Sequence, residues 1–406
     1  MYQEYKLRKN CAICNNNNLK SILDFGQISL AGNFPTKEEI HDCKKYPLSL
    51  KYCEKCNLVQ TDSIIDSDYL FKDYRYMSSI GLSKHFTSVA NFYKERFNLN
   101  SSSNVLEIGS NDGVLLKPFM DLKIPCLGFD PSVNISNLAK EKGCNVIIDY
   151  FNKKSAIKYL KENSYDLICS NNCFAHIDDI HSILEGVSYA LKPNGHFVIE
   201  VHYLKNLIEQ LQYDFIYHEH LYYYSLSSLN YLFNLHNLYI IDFEEISIHS
   251  GSIRVYVSKN NQNNKKIKMQ LEYEKNIGMT DFKYFEDYSI NVKNHINSLQ
   301  NTIKKIKENG FTIAGYGASG RGNVLMNICK FNSNDISFII DESPERYNRF
   351  IGGTDIPIFN KDYLINNKAD YLLILAWNYT EMIIEKLKSE SFKYVIPFPS
   401  VKILDK

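Results

Sequence analysis

Apolar and polar positions fall into blocks that read as strand, glycine turn and helix. In SNVLEIGSNDGVLL, residues 103–116, a polar start runs into a short apolar strand, a turn carrying Gly109 and Gly113, and an apolar helix start. PCLGFDPS, residues 125–132, is a second strand closed by Asp130. SYDLICSNNCFAHIDDI, residues 164–180, predicts a third strand that ends in polar residues and leads into a helix, and LKPNGHFVIEV, residues 191–201, a turn and a fourth strand. The order recurs later: FTIA leads into GYGASGRGN, and ISFIIDESP, residues 336–344, is a strand closed by Asp341. Between the two series, KKIKMQLEYEK, residues 265–275, and a helix to about residue 307 predict a solvated connector. The expected fold class is α/β with two Rossmann-like units.

A chain of 406 residues, 44% hydrophobic, can bury a large core and is long enough for two or three domains. Lys plus Arg equals Asp plus Glu at 46 each, so charge points to neither nucleic acid nor an anionic membrane. MYQEYKLRKN lacks the apolar centre of a signal peptide, and no apolar run is long enough to span a bilayer, so a cytoplasmic protein is expected. In that reducing setting the cysteines change the picture. Cys11 and Cys14 form CAIC, and Cys53 and Cys56 form CEKC. Two such hooks can converge four thiolates on one tetrahedral ion, and with every position taken by sulfur the zinc would be structural. Unrelated thiols or a redox pair are the alternatives; Cys43, between the hooks, has no partner at hook spacing.

The first glycine loop lets backbone approach a ligand, and Asp130 at the next strand end can hold both hydroxyls of a ribose. Together, E-x-G-x-N-x-G and that acid resemble the class I S-adenosylmethionine (SAM)-dependent methyltransferases. The resemblance implies a cofactor site of Glu107, Gly109, Asn111, Gly113, Asp130, Pro131, Asn172, Phe174 and His176. The later loop, with Gly315, Gly317 and Gly320, is the better match to a dinucleotide fingerprint, which keeps a nicotinamide-dependent sugar oxidoreductase open. Arg321 after that loop suits a phosphate.

Several landmarks in order look like the sugar C-methyltransferases that act on C3 of nucleotide-linked 4-keto-deoxysugars: CAIC with LDFGQISLAGNFP, LSLKYCEKCNLVQ, DYRYMSS, the SAM loop, YHEHLYYYS, SGSIRVY, GYGASGRGN and LAWNY. Ser250 in SGSIRVY stands where relatives tend to carry glycine. The resemblance implies three parts: a zinc-binding domain over 1–78, a SAM-dependent methyltransferase domain over 79–262, and a helical connector with a nucleotide-sugar-binding Rossmann-like domain over 263–406. It implies SAM and structural zinc as cofactors and a nucleotide-linked 4-keto-sugar as substrate. The oligomeric state is left open, a monomer included.

YHEHLYYYS, residues 217–225, then acquires a task. A carbon beside a ketone can be deprotonated to an enolate, and histidine titrates in the right range for that work. The family pattern places the essential histidine on His220, with Glu219 as a positioning or polarising partner and Tyr217 as a donor to the C4 oxygen or an alternative base. Tyr222, Tyr223 and Tyr224 read as including core aromatics, and His218 as pointing away from His220; HEH lacks the helical spacing of a metal site. His176 has a cofactor-shell reading and a capping or core reading. The substrate set is Tyr74, Tyr76, Arg254, Tyr316, Ser319, Arg321, Asn323 and Asp341, with a structural ion pair as the other reading of Arg254. O- or N-methylation of a sugar on the same scaffold remains the alternative within the methyltransferases.

Overall fold

The computed structural model describes residues 4–72, 77–388 and 391–405; Tyr74 and Tyr76 lie outside the described residues. Strand β1 (Tyr5–Leu7) pairs antiparallel with β5 (Ser63–Ile65), while β2 (Leu19–Ser29), β3 (Lys45–Cys53) and β4 (Val59–Thr61) form an antiparallel meander. One cysteine hook precedes this meander and the other lies within it, Cys53 ending β3 and Cys56 in the turn to β4.

The central sheet is built from β6 (Val105–Ile108), β7 (Cys126–Phe129), β8 (Val146–Ile147), β9 (Tyr165–Asn171) and β10 (Leu191–His202). β11 (Tyr222–Tyr223) leaves it and joins the zinc-side meander, pairing with Gln60 and Val59. β12 (Tyr239–Ile246) and β13 (Ser252–Ser258) complete the central sheet in the order β12-β13-β10-β9-β6-β7-β8. β6 is buried along its whole length, as expected of a parallel strand covered on both faces. The strand order reverses beside β6, so a crevice opens at the carboxyl ends of β6 and β9, where Gly109 and Asn172 lie.

The third sheet repeats the plan: β14 (Ile313–Tyr316), β15 (Ile339–Ile340), β16 (Ile358–Phe359), β17 (Tyr371–Ile374), β18 (Lys393–Ile396) and β19 (Lys402–Leu404), ordered β16-β15-β14-β17-β18-β19. The two glycine loops match bond for bond. Asp130 accepts from the Asn111 and Ser132 amides at 2.9 Å each, and Asp341 from the Ala318 and Ser343 amides at 2.7 and 2.8 Å. Gly317, at φ +90°, makes the turn, whereas Gly315 lies within β14 and packs on Ile339.

The connector is less solvated than its charge suggests. Helix Phe282–Glu308 buries Phe285, Tyr288, Val292, Leu299, Ile303 and Ile306 at helical spacing, and Phe285 packs on Tyr52 of the zinc-side sheet at 4.5 Å. From the preceding helix, fully buried Glu274 accepts from the Leu226 and Ser227 amides at 2.8 Å each and from Tyr203 Oη. That carboxylate satisfies the start of the helix Leu226–Asn234, just after the HEH segment.

Candidate active site

Four sulfurs converge as the hooks predict. Cys11 Sγ lies 3.3 Å from Cys56 Sγ and Cys14 Sγ 3.5 Å from Cys53 Sγ, all four within 4.8 Å of one another. Tetrahedral Zn–S bonds of about 2.3 Å give sulfur separations near 3.8 Å, so the set fits one zinc ion with no open position. Among the described residues this is the one cluster with metal-ligand geometry.

A cavity of about 710 Å³ opens at the crevice of the central sheet and is walled by all three parts of the chain. On the cofactor side Gly109, Asn111, Asp130, Pro131, Asn172 and His176 line it. A Cβ on Gly109, whose φ is +76°, would sit 2.4 Å from Cys173 Sγ, so the loop closes on that neighbour only as glycine. Asp130, on which burial acts to raise the carboxyl while the Ser132 and Asn111 amides act to lower it, stands at the ribose position of such crevices. The residues present fit SAM.

Three residues of the expected cofactor set do not line the cavity. Glu107 is buried behind the loop, where burial and then Asp130 push its carboxyl well up. Gly113, at φ +78°, lets the loop pack on Ala139 and Cys144. Phe174 is core, against Tyr224 at 5.6 Å.

Tyr217, Glu219 and His220 all line the cavity. His220 Nδ1 lies 2.9 Å from the Phe215 carbonyl, and because a carbonyl only accepts, Nδ1 carries the proton. The lone pair of the neutral ring is therefore on Nε2. The Tyr217 ring lies 4.0 Å from that of His220, and His176 approaches it at 4.9 Å. Burial pulls His176 down to about 4, so its imidazole is neutral near pH 7. Burial pushes Glu219 up to about 7, its own amide and that of Gly32 only partly opposing, and Oε2 is buried without a hydrogen-bond partner among the described residues. His218 also borders the cavity and bonds the Pro47 carbonyl at 3.2 Å; Tyr222 and Tyr223 are buried at its wall, and Tyr224 is core.

Of the expected substrate residues, Arg321 reaches the cavity, joined by Tyr379 of LAWNY. Arg254 does not. It is buried between Glu200 and Glu244, its neighbours across the β10–β13 and β12–β13 ladders, with Nη2 2.9 Å from Glu200 and Nη1 3.1 Å from Glu244. This charge pairing across register is the geometry of the structural ion pair. The Asn323 amide gives its protons to the carbonyls of Leu30, Ala31 and Asn33, clamping the zinc-side loop onto the C-terminal unit. Ser319 caps the following helix through the Gly322 amide, Tyr316 Oη is taken by Glu342, and Asp341 pairs with Arg346. These four hold structure at the second loop and are absent from the cavity wall.

Sequence reasoning missed three residues here. Asp214 holds Arg321, and His202, at the end of β10, lines the cavity with its ring 4.0 Å from Phe215. Buried Glu200 bonds the Asn172 side chain at 3.2 Å and, through its carbonyl, the Asn172 amide at 2.7 Å. A carboxylate on the strand after the crevice was the only signal for Glu200.

Family models match along nearly the whole chain: a zinc binding domain over 11–71, a methyltransferase domain over 83–242, and a C-methyltransferase C-terminal domain over 247–399. C-methyltransferase NovU of Streptomyces niveus is 30% identical over 404 residues, covering 97% of this chain and 96% of that protein. Among solved structures, PH0226 protein from Pyrococcus horikoshii OT3 is 13% identical with TM-score 0.39, covering 48% of this chain and 98% of that one. Magnesium protoporphyrin IX methyltransferase (ChlM) from Synechocystis PCC 6803 is 13% identical with TM-score 0.34, covering 45% and 81%. With four cysteines set for zinc, a glycine loop and Asp130 at the crevice, and this relationship from end to end, the chain belongs to the SAM-dependent C-methyltransferase family that includes NovU.

Proposed function

We propose that the enzyme methylates C3 of a nucleotide-linked 4-keto-deoxysugar through an enolate, with His220 as the general base. The observation that carries the reading is the placement of His220, which lines the same cavity as the cofactor crevice with its ring oriented by the Nδ1 bond to the Phe215 carbonyl. C–C bond formation needs a carbanion, and a C4 ketone makes the C3 proton acidic enough for an imidazole to remove. SAM, when bound, supplies the electrophilic methyl. Nε2 takes the C3 proton, and the electron pair moves onto the C4 oxygen. Donors already in place stabilise that oxyanion best; Tyr217 and a protonated Glu219 are two cavity groups able to supply them. The carbanionic carbon then forms the new bond to the methyl as the S–CH₃ bond breaks, and the ketone is restored. Arg321 takes the anionic nucleotide end.

Purified enzyme incubated with methyl-labelled SAM and a panel of nucleotide-linked 4-keto-deoxysugars tests this, with the labelled atom identified by NMR. Label on ring carbon C3, and turnover reduced about 10²- to 10⁴-fold in His220→Asn, is the expected result. Label on oxygen or nitrogen refutes the enolate route and moves the protein to O- or N-methylation, and label on C3 with a fully active His220→Asn enzyme refutes His220 as the base and passes that role to Tyr217.

A further inference from the structure

The short turn Tyr213–Phe215 holds the base and touches the C-terminal unit at the same time. Its Phe215 carbonyl fixes His220 Nδ1 at 2.9 Å. Its Asp214, only 1% exposed, accepts from Arg321 Nε and Nη2 at 2.9 Å each and from the Trp377 indole at 2.8 Å. The Arg321 guanidinium also lies over the Phe215 ring, 5.1 Å from its centre, and over Trp377 at 4.6 Å. Arg321 lines the cavity and Asp214 does not. A planar guanidinium forked onto a buried carboxylate cannot shift to meet an anion without carrying its partner. The partner is the residue before the carbonyl that orients the base.

We propose that Asp214 is a positioning residue that couples what Arg321 holds to the orientation of His220, so that the anionic nucleotide end of the substrate contributes to proton removal as well as to affinity. The inference rests on the C-methyltransferase reading above. It puts remote binding energy to use at the reacting carbon, which truncated substrates forfeit in kcat and not only in KM.

The test is a double cycle on C3–H exchange into D₂O, run at saturating substrate with S-adenosylhomocysteine in place of SAM. Parent enzyme and Asp214→Asn are each given the nucleotide-linked 4-keto-sugar and the same sugar as a methyl glycoside. Loss of one charge-assisted bond predicts exchange about ten- to hundredfold slower in Asp214→Asn on the full substrate. The parent should slow by a similar factor on the glycoside, and the variant should be nearly indifferent to which substrate it receives. Trp377→Phe, which keeps the ion pair and removes one bond, should show the same pattern at about three- to tenfold and carries the test if Asp214→Asn does not fold. Independent, multiplying factors, or an Asp214→Asn effect confined to KM, would overturn the coupling while leaving the base assignment intact. A parent that exchanges no C3 proton refutes the enolate reading itself, and this inference with it.

Discussion

Removing the zinc should stop catalysis while sparing much of the cofactor affinity, although none of the four zinc-hook cysteines lines the cavity. In the absence of a cation, two thiolates 3.3 Å apart repel by about 5 kcal/mol at an effective dielectric near 20, so the cluster must protonate or open. Structural zinc sites contribute about 10–16 kcal/mol, as much as the roughly 5–15 kcal/mol that holds an ordinary domain folded. The meander β2–β4 is therefore expected to loosen when the metal leaves. Its edge strand β4 carries β11 through the pairs Gln60–Tyr222 and Val59–Tyr223, and the Thr61 amide bonds the Leu221 carbonyl at 3.0 Å. His218 is moored to Pro47 of β3, and Gly32 packs close to Glu219, its Cβ position 3.9 Å from Oε1. The residues on either side of His220, namely 218, 219 and 221–223, are thus braced from the zinc side, whereas Gly109, Asp130 and Asn172 stand on the central sheet. Chelation should lower kcat at least about hundredfold, the low end of a general base's contribution. SAM affinity should fall less than about tenfold, a change of 1.4 kcal/mol, since only one wall of its crevice comes from the zinc side. The assay pairs colorimetric zinc release with calorimetric SAM titration and labelled methyl transfer, and added zinc should restore turnover. One equivalent of zinc released with kcat retained within about threefold would refute this route from metal to base.

Three further outcomes follow from particular side chains. Glu219 is raised from its ordinary 4.5 to about 7 by burial, so the folded state holds the proton more tightly and stability falls as pH rises from about 4.5 through 7. At 1.36 kcal/mol per pH unit that is at most about 3 kcal/mol; Glu219→Gln should stabilise the protein by up to that amount at pH 8 and by almost nothing at pH 4.5, and equal urea midpoints at pH 8 would contradict it. Arg254→Met leaves buried Glu200 with only His85 beside it, at a cost of about 3–5 kcal/mol in urea unfolding, with the nucleotide-sugar KM of folded enzyme within about twofold; a large KM increase at unchanged stability would restore Arg254 to the substrate site. Ser250 sits at φ +65°, in the left-handed region. Ser250→Gly relieves roughly 1–2 kcal/mol of strain against about 0.4–1 kcal/mol of added chain entropy, a net gain of about 0.5–1 kcal/mol in urea unfolding that a neutral or destabilised variant would disprove.

The parts of the molecule that were legible in the sequence are those set by neighbours a few positions away. A C-x-x-C hook is a local turn, and a glycine loop between an apolar strand and a helix needs no distant partner to be recognised. Asp130 and Asp341 were readable because each closes the strand that follows its loop, and both accept from that loop's amides. His220 came from the family pattern; what the structure adds is its tautomer, fixed by a carbonyl five residues earlier.

What remained hidden depends on register and on contacts between distant segments, and there a charge or an amide says nothing of its partner. Arg254 and a phosphate-binding arginine are the same side chain until β13 is placed between β10 and β12, which sets Glu200 and Glu244 on either side of it. Asn323 follows a nucleotide-type loop, yet three carbonyls of the loop at residues 30–33 consume its amide. Tyr222 and Tyr223 look like a catalytic segment's own core, but their strand completes the zinc-side sheet. In each case a residue near a functional motif joins two parts of the chain. The three units are therefore interlocked: His220, the proposed base, lies on a segment braced by the zinc-side sheet, and the turn whose carbonyl it meets is tied to the C-terminal unit through Asp214 and Arg321. A site assembled that way cannot be divided among domains read one at a time, because the wall of the cavity and the support of His220 come from all three.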